Sequence, residues 1–179
     1  PIPDEGIEAA LAELRHGRLH RYNLAPGEAG ETALLEEEFA AFTGARYCLA
    51  VASGGYALAT ALRALEVGPG TKVLANAFTL APVPGAVASV GGEVVLVEIT
   101  DDLVIDIDDL ATKAKATGAR VLMLSHMRGH VCDMDRLMAV ANANGIAVVE
   151  DCAHTMGAAW RGTKSGRHGI AACYSTQTY

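Results

Sequence analysis

Ala119–Asp151, ARVLMLSHMRGHVCDMDRLMAVANANGIAVVED, is the stretch whose reading decides the fold. ARVLMLSHM and IAVVED are short and almost continuously apolar, the pattern of strands buried on both faces. Between them DMDRLMAVANANG has the spacing of a helix. A strand, a helix and a second solid strand make a parallel crossover unit. The second strand ends on Glu150 and Asp151, with His154 soon after. Ionised groups are expensive to bury at a strand end. Either the acidic pair caps the next helix, or something cationic meets it.

Outward from this unit the alternation continues in both directions. KVLAN and EVVLVEI read as strands, as does YCLAVAS (Tyr47–Ser53). Helices are expected over GYALATALRAL, near VPGAVASV, and over DIDDLATKAKA with Asp106 as N-cap. Downstream, AAWRGTKSGRHG reads as a polar hairpin and IAACYST as a last strand. Upstream lie a helix from Asp4 to His16 and an irregular stretch with a turn at Pro26 and Gly27. A second helix runs from Glu31 to a C-terminal glycine, Gly44. The fold class is α/β: a mostly parallel sheet flanked by helices, with residues 1–30 an N-terminal helix and arm and residues 31–179 the sheet domain.

The totals narrow the function classes. Half of the 179 residues are apolar, enough for a large core, and aromatics are only 5%. The net charge of −7, with basic residues scattered, argues against nucleic acid or an anionic membrane as partner. The longest apolar runs are broken by Gly and Glu, and no charged-then-apolar leader opens the chain. Cys48, Cys132, Cys152 and Cys173 lie far apart, which speaks against a zinc site or disulfide framework and for a reducing, cytoplasmic setting.

In a doubly wound sheet, ligands bind beyond the carboxyl ends of the strands. Ser53, Gly54 and Gly55 open a helix there, either as a tight turn or as a cradle of N–H groups for an anion. Neither Gly-x-Gly-x-x-Gly nor a Walker Gly-Lys-Ser/Thr occurs. Phe78 and Leu80 could cover a flat ligand or simply pack in the core. His126 follows one strand, and Glu150, Asp151 and His154 follow another. Ser175, Thr176 and Thr178 supply hydroxyls suited to a phosphate. A phosphorylated ring with a basic nitrogen would use the cradle, the hydroxyls and the carboxylate together.

With these motifs in order, the chain resembles the sugar aminotransferases of the DegT/DnrJ/EryC1/StrS family. The likeness rests on ASGGYALATALRAL, VGPGTKVLANAFTLAP, GGEVVLVEI and the run from SHMRGH to CYST, and covers nearly everything from Phe39 to Thr178. It implies a fold-type-I large domain binding pyridoxal 5′-phosphate (PLP), with no metal. By resemblance, Asp151 pairs with the protonated ring nitrogen and His154 lies near the phenolic oxygen. Gly54, Gly55 and Ser175 hold the phosphate, and Leu80 stands where an aromatic commonly stacks on the ring. Glu150 is expected to face elsewhere and serve structure. The family often has Thr at the position of Gly55.

The resemblance places the Schiff-base lysine immediately after Tyr179, so that the chain reads as the front half of an enzyme with a small C-terminal domain still to come. Lys72, Lys113, Lys115 and Lys164 do not match that position. The implied activity is transfer of an amino group from glutamate or glutamine to a keto sugar nucleotide or keto cyclitol, by a cytoplasmic homodimer. Such chemistry serves amino-sugar and antibiotic biosynthesis. A keto-sugar dehydratase of the same family, with histidine in place of the lysine, is the alternative. A nicotinamide-dependent oxidoreductase fits less well without the glycine fingerprint.

Overall fold

The computed structural model describes residues 2–22, 24–25 and 27–177. Pro26, Thr178 and Tyr179, on which the expected turn, one phosphate hydroxyl and the lysine position depend, lie outside the described residues. The chain divides into two compact units, residues 1–50 and 51–179. The sequence expectation began the sheet domain at residue 31, whereas the helix from Glu31 groups with the N-terminal residues.

The first unit contains α1 (Asp4–His16) and α2 (Glu31–Thr43). Both end on a left-handed glycine, Gly17 at φ 72° and Gly44 at φ 77°. α1 buries no residue and α2 buries only Ala40 and Thr43, so polar contacts do much of the local fixing. Arg18 grips Glu28 through two bonds of 3.0 and 2.7 Å, and Nη2 of Arg21 lies 2.7 Å from both oxygens of Glu36.

The strand expected at Tyr47–Ser53 is not one. The Ala50 N–H donates to Glu36 Oε1 at 2.6 Å, and the Ala50 carbonyl accepts from Arg21 at 3.4 Å. Side chains have taken the backbone groups that a neighbouring strand would need. Tyr47 and Leu49 stay 75% and 58% exposed, so the apolar run is not buried as its pattern suggests. The Ala50 N–H, and then Arg21, hold the Glu36 carboxyl below the usual glutamate range.

The second unit begins with α3 (Gly54–Ala64), β1 (Lys72–Asn76), α4 (Pro82–Ser89) and β2 (Glu93–Val97). It continues through α5 (Ile107–Thr117), β3 (Val121–Ser125), α6 (Met134–Asn144) and β4 (Ala147–Asp151). A hairpin of β5 (Ala159–Trp160) and β6 (Thr163–Lys164) precedes β7 (Ala171–Cys173). The final strand is thus shorter than IAACYST, and Tyr174 and Ser175 lie beyond its end. Asp106 caps α5 as expected, accepting from the N–H groups of Asp108 and Asp109.

The sheet order is β2-β1-β3-β4-β7, and every pairing within it is parallel. Strand alternation splits the core into two layers. Val73, Ala75, Val121, Met123, Val149 and Cys173 pack with α3 and α4. Leu74, Val97, Leu122, Leu124 and Val148 pack with α5 and α6 on the other face. From β1 the chain steps outward to β2, then crosses back to β3 on the opposite side of β1. This reversal opens the crevice at the carboxyl ends of β1 and β3, the position where such sheets bind ligands. Among the described residues, no helix is long and apolar enough to cross a membrane.

Candidate active site

Adjacent residues of a strand point to opposite faces, and β4 uses this to separate its two carboxylates. Glu150 follows Val148 to the α5/α6 side, and Asp151 follows Val149 to the α3/α4 side. Glu150 is fully buried. Its Oε1 accepts the N–H groups of His168 and Gly169 at 2.9 and 2.7 Å. Its Oε2 accepts the Gly166 N–H at 2.8 Å and lies 3.0 Å from Nε2 of buried His126. Burial alone would raise its pKa. The His126 contact and the Gly169 and Gly166 N–H groups outweigh burial and hold it below the usual glutamate range.

This carboxylate ties the turn after β6 to β4 and to the end of β3. Gly169 sits so close that a Cβ there would lie 2.3 Å from the Val148 carbonyl oxygen. Gly166, at φ 87°, leaves room for the Tyr174 hydroxyl, which donates to the Ser165 carbonyl at 2.8 Å. The Oγ of Ser165 lies 2.7 Å from Thr155 Oγ1 and 3.3 Å from Cys152 Sγ. Ligand atoms of His126, Glu150 and Cys152 come within 4.8 Å of one another. Burial pushes the Cys152 thiol up to about 12, so it is protonated at neutral pH, and Glu150 is already committed to its donors.

Asp151 is half-buried at the crevice side of the sheet edge. Its Oδ2 accepts from Ser125 Oγ at 3.0 Å, and its Oδ1 accepts the Ala153 N–H at 3.2 Å. Ser125 pairs in register with Asp151 across β3 and β4. The neighbouring β1–β3 ladder has its last paired residues at Ala75 and Met123. There the buried amide of Asn76 takes over: its Oδ1 accepts the Ser125 N–H at 2.9 Å, and its Nδ2 donates to the carbonyls of Ser125 and Phe78.

Beyond β7, Ser175 lies against the start of α3: a Cβ on Gly54 would sit 3.8 Å from the Ser175 Cβ. Ser53 caps α3, with its Oγ accepting the Tyr56 N–H at 3.2 Å and its carbonyl accepting the Ala57 N–H. Gly54 and Gly55 precede the intrahelical ladder, and among the described residues no acceptor takes their N–H groups, which suits an anion at the positive end of the helix. The Ser175 Oγ accepts the Gln177 N–H at 3.2 Å and retains its own proton for donation. In the loop after β1, Leu80 is 45% exposed, and the buried Thr79 hydroxyl has no partner among the described residues. His154 is exposed, and its Nδ1 accepts the Arg128 N–H at 3.2 Å, which leaves Nε2 as the protonated nitrogen of the neutral ring.

Residues 20–179 match the DegT/DnrJ/EryC1/StrS aminotransferase family. The chain belongs to that family. Among its relatives is the UDP-2-acetamido-2-deoxy-3-oxo-D-glucuronate aminotransferase of Pseudomonas aeruginosa, 35% identical over 96% of this chain and 45% of that protein. Another is the L-glutamine:scyllo-inosose aminotransferase of Streptomyces griseus, 34% identical over 78% of this chain and 33% of that protein. The crystal structure of 3-amino-5-hydroxybenzoic acid synthase superposes with a TM-score of 0.88 at 31% identity, over 99% of this chain and 45% of that one. The chain spans between a third and a half of the length of these relatives. The fold is that of the fold-type-I large domain, and the family's cofactor is PLP.

The donor set fits that cofactor. An anionic phosphate suits two N–H groups at a helix start and a serine hydroxyl; a cationic ring nitrogen suits a carboxylate facing the crevice. The structure thus gathers Asp151, Ser175, Gly54 and Gly55 along one edge of the second unit, with Leu80 and His154 on neighbouring loops. His126, a candidate by sequence, instead faces Glu150. Sequence reasoning missed Ser125 and Asn76, because neither forms a motif and their partners lie 26 and 49 residues away. A polar residue ending each of two apolar strands was the available signal.

Glu150→Gln places its amide N–H₂ against at least one backbone N–H, which can only donate, so it should lower stability by about 2–4 kcal/mol near neutral pH. The Glu150 pKa is depressed in the folded state, so its stabilisation is full above the ordinary glutamate range and is lost as pH falls through the folded value. Thermal unfolding followed by circular dichroism should therefore show a wild-type advantage at pH 7 that shrinks toward pH 3. A Gln variant as stable as wild type at pH 7 contradicts the role given to Glu150.

Proposed function

We propose that the full-length protein is a PLP-dependent aminotransferase, moving an amino group from glutamate or glutamine to the keto group of a sugar nucleotide or cyclitol. The observation that carries this reading is the Asp151 carboxylate, held at both oxygens at the end of β4, with the strand paired to it, β7, leading to Ser175 against an anion-receptive helix start. Support also comes from the names of the relatives, a keto-sugar-nucleotide aminotransferase and a glutamine-dependent cyclitol aminotransferase. The reading includes a homodimer in the cytoplasm.

PLP, when bound, supplies the electron sink that accepts the electron pair released at the amino donor's α-carbon. Asp151 would keep the ring nitrogen protonated, which strengthens that sink. The N–H groups of Gly54 and Gly55, with the Ser175 hydroxyl, would anchor the phosphate. His154, its Nδ1 occupied by the Arg128 N–H, would donate from Nε2 to the phenolic oxygen. Leu80 would cover one ring face by contact alone, without aromatic stacking. A lysine after Tyr179 would be the covalent anchor and the group that moves the proton.

Borohydride treatment of the full-length protein followed by peptide mass mapping tests the anchor. A phosphopyridoxyl mass on a lysine directly after the STQTY segment is expected. Histidine at that position favours the dehydratase, and an unmodified lysine there contradicts the reading. Asp151→Asn should keep the fold and reduce transamination by about 30- to 4000-fold, since losing a buried charge partner costs on the order of 2–5 kcal/mol. Turnover within twofold of wild type would show that Asp151 is not the partner of the ring nitrogen.

A further inference from the structure

Ser125 stands at the meeting of two constraints. Its backbone is clasped on the β1 side by Asn76, itself 1% exposed, through the 2.9 Å bond to Oδ1 and the 3.2 Å bond from Nδ2. On the β4 side it is in register with Asp151, and the next N–H, of His126, donates to the Asp151 carbonyl at 3.1 Å. A serine so fixed has few places to send its one hydroxyl proton. It sends it to Asp151 Oδ2, 3.0 Å away, from a side chain only 7% exposed.

The other carboxylate oxygen receives the Ala153 N–H. Each oxygen of Asp151 therefore carries one donor from the protein and keeps further lone-pair capacity for a ligand. The pair of bonds fixes the plane of the carboxylate. Both oxygens are thereby engaged as acceptors, with their remaining lone pairs held in one plane. When a carboxylate faces a protonated nitrogen, donors on the carboxylate decide where the shared proton rests. A carboxylate that already accepts from two protein donors, and is aimed by them, is an acceptor toward the ring N–H and leaves the proton on nitrogen.

We propose that Ser125 is a positioning residue for Asp151: its hydroxyl, held by the Asn76 clasp, orients the carboxylate and keeps the proton on the ring nitrogen of PLP. This rests on the reading that Asp151 faces that nitrogen. It goes beyond that reading by assigning part of the electron-sink strength to a strand-end hydroxyl on β3 that never touches the cofactor. No bond is made or broken at Ser125; its proton remains its own.

The test uses the full-length holoenzyme reconstituted with PLP labelled with ¹⁵N in the ring, at one fixed pH. Wild type should give the resonance of a protonated ring nitrogen. Ser125→Ala should move it toward the neutral-pyridine position, and, with the carboxylate no longer fixed in its plane, PLP should dissociate about tenfold more readily. Ser125→Thr, which restores the hydroxyl, should recover both. A role confined to packing would lower the unfolding temperature but leave the ¹⁵N resonance in place.

Asp151→Asn separates the two readings. If it moves the resonance and Ser125→Ala does not, the Ser125 assignment is overturned and that of Asp151 stands. If neither moves it, Asp151 does not face the nitrogen and both assignments fall. Should Ser125→Ala not fold, Ser125→Cys, of similar shape but a weak donor, carries the same expectation and the same refutation.

Discussion

Two adjacent carboxylates can end a buried strand only if each finds its own set of donors, and the pleat of β4 makes that separation. Glu150 turns to one face, where three backbone N–H groups and His126 surround it. Asp151 turns to the other, where it has one hydroxyl and one N–H and still faces the crevice. The first is saturated and structural. The second keeps lone pairs to offer. Without Glu150 the segment from Gly166 to Gly169 would lose its anchor on β4, and that segment leads directly into β7 and Ser175. The placement of Ser175 thus depends on a carboxylate that points to the other face of the sheet.

The strand–helix alternation was legible because it depends on local spacing. KVLAN matches β1 residue for residue, and the Asp106 cap lies where the pattern of DIDDL puts it. The apolar run from Tyr47 to Ser53 misled because a strand needs a partner, and pairing is not encoded in a run's own composition. Glu36, eleven residues ahead of Tyr47, supplies the acceptor that claims the Ala50 N–H instead.

The candidate site divides in the same way. Two rules, that ligands bind at the carboxyl ends of strands and that helix starts attract anions, made Asp151, Gly54, Gly55 and Ser175 candidates, and the family resemblance chose among the readings they left open. The structural part expected of Glu150 was legible, but its partners, and the place of Ser125, were not, since each is defined by residues that only the folded sheet brings near. Ser125 and Asp151 become neighbours through strand register, and Asn76 joins them where the β1–β3 ladder gives way. Buried polar groups at such junctions must find partners. Here one satisfied chain, Asn76 to Ser125 to Asp151, leads from the core to the crevice.

If Asp151 meets a cationic ring nitrogen, a cofactor analogue without that nitrogen should bind poorly. A 1-deaza analogue of PLP keeps the ring, the phosphate and the aldehyde but replaces the basic ring nitrogen with carbon. In a competition with PLP for the full-length apoprotein, the account predicts a preference for PLP of roughly 30-fold or more, the affinity equivalent of about 2 kcal/mol for a charge-assisted contact. Asp151→Asn should erase most of that preference. Equal affinity of wild type for PLP and the deaza analogue would mean that no cation is recognised at Asp151 and would contradict the account.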